Sequence, residues 1–268
     1  MKQTTYSSIM NNPVFTPALR HQIDLVQRHQ TLTESFVRKV IRGVHKNAIL
    51  QGSPGLGKSY VVQTSLVAAG LEEHKDYAIV KGHITPVQLF ALLYTFRRPG
   101  QIVVLDDCDD IMRNEVGLTF LKAACDPDNR RVSYISSNPV VIAGTPVVDF
   151  VYNGTVIICS NISLTTGRAG RRTEHMKAIA SRVPKWPMHW DTREQKFAQV
   201  FNMVVNHDFL ARSDRTRLSD RQKEDLLTYL LDNLDDIQNL DLRLPQKIAA
   251  EMVDGGDWRA ACAPFLKV

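Results

Sequence analysis

The chain has 268 residues, room for one large domain or a domain with a small appendage. With 44% apolar and 23% charged residues, it excludes a disordered tail, a collagen-like repeat and a coiled-coil rod. Its net charge of +5 permits a nucleic-acid partner without demanding one.

Residues 1–30 are polar, with Pro13 and Pro17, and read as an extended lead followed by a helix from about Thr16 to Gln30. Thr31 to Val44 predicts a second helix, with Thr33 as N-cap and Phe36, Val37, Val40, Ile41 and Val44 as its apolar face. Asn47-Ala48-Ile49-Leu50 is a short apolar run that ends in a glycine-rich turn. A helix follows from Lys58 to about Ala69, stopped by Gly70. Tyr77–Val80 predicts a strand and Pro86–Phe96 a helix. Ile102–Leu105 is continuously apolar, as expected of a strand buried on both faces. Glu115–Cys125 predicts a further helix. From Arg130 to Tyr152, short β-like runs broken by Asn138-Pro139 and Gly144 read as a hairpin-like excursion, and Thr155–Cys159 as a fourth buried strand. Thr192–Leu210, Ser219–Leu234 and Pro245–Val253 predict three helices, with a Ser219/Gln222 capping box and a Gly255-Gly256 stop.

Strands alternating with helices predict an α/β fold, a mostly parallel sheet with helices on both faces, followed by a small all-α domain. The expected boundaries are 1–44 for an N-terminal extension and helices, 45–190 for the α/β core and 191–268 for the helical domain. Cys108, Cys125, Cys159 and Cys262 form no CxxC pair, which leaves zinc knuckles, redox dithiols and a secreted disulfide framework unsupported. The N-terminus lacks the apolar run of a signal peptide, and no stretch approaches the roughly 18 apolar residues of a membrane span. A cytoplasmic, reduced protein without a membrane partner is expected.

Three features carry chemistry. Residues 52–59, Gly52-Ser53-Pro54-Gly55-Leu56-Gly57-Lys58-Ser59, match G-x-x-x-x-G-K-[ST] between a strand and a helix. Glycines let successive N–H groups converge on phosphate oxygens, and the helix N-terminus favours the same anion. Lys58 adds a point charge toward the β- and γ-phosphates, and the Ser59 hydroxyl is a Mg²⁺ ligand. Secondly, Ile102–Leu105 ends in Asp106-Asp107. Ligands of such sheets lie beyond the carboxyl ends of the strands, so Asp106 is expected near the metal and Asp107 beside an attacking water. Thirdly, Val156–Ser160 ends in Asn161, an amide suited to orienting that water.

These three features together resemble AAA+ ATPases: Walker A at 52–59, Walker B ending Asp106-Asp107, and Asn161 in the sensor 1 place. The helical tail resembles the AAA+ lid. Ala180-Ser181-Arg182 is similar to the Ser-Arg motif of clamp-loader-type members, and Leu242-Arg243 to sensor 2. The resemblance covers about residues 45–255 and implies a P-loop NTPase sheet that binds ATP and Mg²⁺. In its terms Asp107, Asn161 and Arg182 are catalytic. Gly52, Ser53, Pro54, Gly55, Leu56, Gly57, Lys58, Ser59, Tyr60 and Arg243 bind nucleotide, and Ser59 and Asp106 bind the metal.

It also implies a homo-oligomeric ring or spiral in which Arg182 reaches a neighbour's ATP; Arg168, Arg171 and Arg172 are rival candidates for that finger. The second acid is Asp107 where the family usually has Glu. A single module of this size resembles phage-encoded clamp-loader and helicase-loader members, which implies DNA as partner. Lys81-Gly82-His83, Arg130, Arg131 and Tyr134 are then candidate DNA-contacting residues. The alternative is a nucleotide-controlled protein-remodelling or scaffold ATPase with a protein client.

Overall fold

The computed structural model describes Met10 and residues 15–162 and 171–267. The chain divides into two compact units: Thr33–Ser53 with Lys58–Met188, and Met1–Leu32 with Pro54–Gly57 and His189–Val268.

The first unit is an α/β layer structure around a five-stranded sheet. Its strands are β1 (Asn47–Gly52), β2 (Tyr77–Lys81), β3 (Ile102–Asp106), β8 (Thr155–Ser160) and β9 (Lys185–Met188). They run in the order β2-β3-β8-β1-β9, with every pairing parallel. The continuous apolar runs follow from burial on both faces: all of β3 and β8 is buried, and so is β1 apart from Gln51. Ile49, Val103, Leu105, Val156 and Ile158 share one core with residues of α3 (Pro86–Thr95), α4 (Glu115–Ala124) and α5 (Arg171–Arg182). The alternate residues Leu50, Ile102, Val104 and Ile157 are buried on the opposite face. Helix α2 (Lys58–Ala68) follows β1, and α3 opens with a Thr85/Gln88 capping box and Pro86 in its first turn.

Strand β9 was not expected from the sequence. Lys185-Trp186-Pro187-Met188 is short and carries a proline, which suits a sheet edge where one side of the backbone needs no ladder partner. Its place is secured by Trp186, which stacks on Phe36 with ring centroids 5.0 Å apart and donates from Nε1 to Thr33 Oγ1 at 2.7 Å. Thr33 is therefore fully buried inside one continuous helix, α1 (Pro17–Ile41), and does not cap a second helix. The start near Thr16 agrees, since its hydroxyl accepts from Leu19 N.

The excursion at 130–152 forms two small antiparallel ladders, β4 (Arg131–Ser133) with β7 (Asp149–Val151) and β5 (Val140–Ile142) with β6 (Thr145–Val147). Two of its candidate nucleic-acid contacts are turned inward. Arg130 is 6% exposed; its Nε donates to Ala124 O at 2.6 Å, its Nη2 to Asn47 Oδ1 at 3.2 Å, and its guanidinium lies 5.0 Å from the Tyr152 ring centroid. Tyr134 packs its ring on Phe90 and Phe120. Arg131 is exposed and paired with Asp149 at 2.8 Å.

The second unit is helical: α6 (Arg193–Val205), α7 (Asp220–Asp232), α8 (Arg243–Asp254) and α9 (Trp258–Cys262), with short 3-10 turns between them. Capping boxes at Thr192/Gln195 and Ser219/Gln222 start α6 and α7, and Gly255 at φ +95° ends α8. Its core includes Phe15, which packs on Phe197 and Phe201 at 6.1 and 5.5 Å between ring centroids. Among the described residues, no helix is long and apolar enough to cross a membrane.

Candidate nucleotide site

Strand order and register assemble the site in the α/β unit. β8 lies between β3 and β1, with Asp106 opposite Cys159 and Gln51 opposite Ser160. The residue after β8, Asn161, thus emerges between the Asp106-Asp107 tip and the Gly52-Ser53 tip. Its amide spans the gap: Oδ1 accepts from Lys58 Nζ at 2.7 Å, and Nδ2 donates to Asp107 Oδ1 at 2.7 Å. Lys58 Nζ also donates to Gly52 O and Ser53 O, both at 2.9 Å. The ammonium has three donors and three acceptors, so a phosphate oxygen must displace at least one of them.

Ser59 Oγ donates to Asp106 Oδ1 at 2.5 Å. A hydroxyl and a carboxylate brought together at a strand tip are a hard-oxygen pair. They suit Mg²⁺, which takes one or two protein oxygens and fills its octahedron with water and phosphate. Asp106 is 5% exposed, whereas Asp107 is exposed and adopts φ +53°. That left-handed turn is one that aspartate tolerates better than most residues. It is held by Asp107 N donating to Cys159 O at 3.0 Å, and it aims the carboxylate toward Asn161.

Burial is the largest influence on both central charges. It pulls the Lys58 ammonium below the ordinary lysine range, opposed by Asp107, Cys159 and Asp106 in turn. It pushes the Asp106 carboxyl above the ordinary aspartate range, opposed first by the Ser59 hydrogen bond. Gly52 has a steric role: a Cβ there would collide with the Met188 carbonyl of β9. Tyr60 is half-buried in the first turn of α2.

The tip of the loop, Pro54–Gly57, belongs to the helical unit. Gly55 and Gly57 have φ +74° and +85°, conformations that favour glycine. Leu56 is buried and its carbonyl accepts from Gln199 Nε2 at 3.2 Å, while the Gly55 carbonyl accepts from Leu242 N at 3.1 Å. Gln199 and Asp241, which lies against Gly55, carry no motif and were not singled out from the sequence.

The two arginines make other contacts. Arg182 Nη1 donates to Ala178 O at 2.9 Å and Nε lies 3.5 Å from Asp126 Oδ2, neither of which belongs to the group formed by Lys58, Asp106, Asp107 and Asn161. Arg243 is exposed and pairs with Asp241 at 3.4 Å. Arg168 lies outside the described residues, and only the backbone of Arg171 and Arg172 is described. Lys81 is exposed at the tip of β2, and His83 Nδ1 lies 3.1 Å from Asp110 Oδ2.

No family model matches the chain. It is 23% identical over 223 residues to an uncharacterized 36.7 kDa protein from the nrdC–mobD intergenic region of Enterobacteria phage T4, covering 82% of this chain and 67% of that one. Among solved structures, domain III of the Thermotoga maritima replication initiation protein DnaA aligns over 83% of this chain and 90% of its own, at 12% identity and a TM-score of 0.38.

Proposed function

We propose that this chain is an ATPase of the AAA+ kind that works in an oligomer. The observation that carries the reading is the hydrogen-bonded chain Lys58–Asn161–Asp107 beside the Ser59–Asp106 pair. It joins a lysine ammonium, an amide and an exposed carboxylate at neighbouring strand tips. In this reading Gly52–Tyr60 cradle the nucleotide phosphates, Lys58 holds their charge, and Ser59 and Asp106 hold Mg²⁺. The cation, when bound, neutralises phosphate charge. Asp107 takes the proton of the attacking water, and Asn161 orients that water. Arg243 contacts the nucleotide from the segment that adjoins the loop tip. Arg182 completes a neighbour's site, in keeping with its partial exposure and its contacts outside its own chain's acid cluster.

Two substrates fit such an ATPase. DNA is the first reading, supported by the net charge of +5 and the exposed Lys81. Arg130 and Tyr134 contribute nothing to it. A protein client is the second reading, favoured by Ile135 and Val141, which are 87% and 61% exposed on the excursion.

Equilibrium binding of a fluorescent ATP analogue, with a phosphate-release assay, tests the proposal. Lys58→Ala should abolish binding. Asp107→Asn should bind and lose turnover by about 10² or more, the scale of a lost general base. Normal turnover in Asp107→Asn would refute the base assignment, and nucleotide binding by Lys58→Ala the phosphate-loop assignment.

A further inference from the structure

The loop tip and the segment that opens α8 are packed together inside the helical unit. Asp241 lies so close to Gly55 that a Cβ on the glycine would collide with its carboxylate. The Asp241 side chain is 11% exposed, and both oxygens face Arg243: Oδ1 accepts from Arg243 N at 2.8 Å and Oδ2 from Arg243 Nη1 at 3.4 Å. The Arg243 side chain, by contrast, is 65% exposed. A largely desolvated anion is therefore held against the glycine-rich tip of the loop. Its charge is offset by a guanidinium that a phosphate group can also attract.

We propose that Asp241 is a charge gate on nucleotide loading, a positioning residue that opposes phosphates at the loop and keeps Arg243 engaged until phosphate competes for it. This rests on the reading of residues 52–59 as a phosphate loop. Like charges repel in proportion to their product, so the gate acts most strongly on the most highly charged ligand. It therefore makes loading weaker and more dependent on salt than the loop alone would be.

The test is titration of ATP and AMP into the full chain and into Asp241→Asn, at low and high salt. Asparagine keeps an oxygen for Arg243 N and removes only the charge, so the fold is retained. ATP should bind about fivefold tighter to the variant, AMP by less than about twofold, and the ATP gain should shrink in high salt. Asp241→Ala, which also loses the contact to Arg243 N, should show the same tightening with a lower Tm. An unchanged or weaker ATP affinity in folded Asp241→Asn, or an equal gain for AMP, overturns the gate. If the wild-type chain binds ATP and the variant binds identically, the gate alone fails. If neither binds nucleotide, the phosphate-loop reading fails with it.

Discussion

On the proposed reading, replacement of Asn161 should separate nucleotide binding from turnover. In Asn161→Ala, Lys58 keeps the Gly52 and Ser53 carbonyls as acceptors, and the loop keeps its shape. Nucleotide affinity should change by less than about tenfold, because a bound phosphate oxygen takes the acceptor place that Asn161 Oδ1 leaves on the Lys58 ammonium. Turnover should fall by about 10², since Asp107 loses the donor that fixes its carboxylate and the water loses its orienting amide. Asn161→Asp is harsher. It places a second carboxylate at the 2.7 Å now spanned by Nδ2 and Asp107 Oδ1. At that distance two unit charges repel by about 1.5 kcal/mol in water and by about 6 kcal/mol at an effective dielectric of 20. Repulsion drives the two carboxylates apart, which takes the Asp107 carboxylate out of its place beside residue 161. The order of turnover should be wild type, then Asn161→Ala, then Asn161→Asp. Phosphate release under saturating ATP, with affinity measured separately, decides it. An Asn161→Ala protein within twofold of wild-type turnover, or an Asn161→Asp protein faster than Asn161→Ala, would refute the bridging role.

Three further outcomes are expected. Arg130→Ala should cost about 2–4 kcal/mol in urea unfolding, from the Ala124 carbonyl left without its donor and the lost contact with Tyr152, partly offset by relief of a guanidinium whose pKa burial lowers; it should leave the salt dependence of any DNA binding unchanged, whereas Lys81→Ala should reduce it. Burial pushes the Cys108 thiol from about 9 up to about 11 and Cys125 up to about 12. The folded state therefore holds protons that the unfolded state releases, so stability should be steady below about pH 9 and fall as pH rises toward 11, and all four thiols should resist alkylation at pH 8 until urea is added. Arg182→Ala should bind ATP and hydrolyse it poorly, and mixing it with Asp107→Asn should restore part of the activity through interfaces that pair an intact pocket with an intact arginine; a mixture that co-assembles yet stays inactive counts against supply in trans.

Local chemistry made much of this protein legible from its sequence. The strands β1, β3 and β8 are continuous apolar runs because both faces are buried, and the glycine spacing at 52–59 is dictated by a backbone that must turn through φ +74° and +85°. Capping residues at Ser219 and Gly255 mark helix ends because orphan backbone groups need partners wherever the helix lies. What the sequence could not reveal depends on partners distant along the chain. Strand β9 is held where Trp186 finds Phe36 and Thr33, some 150 residues earlier, and Thr33 meets it from within the continuous helix α1. Arg130 reads as a surface cation until Asn47, Ala124 and Tyr152 enclose it. Asn161 was visible as an amide at a strand tip, but its grip on both Lys58 and Asp107 comes from placing β8 between β1 and β3, a choice of strand order that no local pattern encodes. Asp241 carries no motif at all; its closeness to Gly55 arises only when the loop tip packs on the start of α8. Periodicity and turn chemistry act over a few residues and can be read in one dimension, whereas burial and pairing of polar groups are decided by which elements the folded chain brings together.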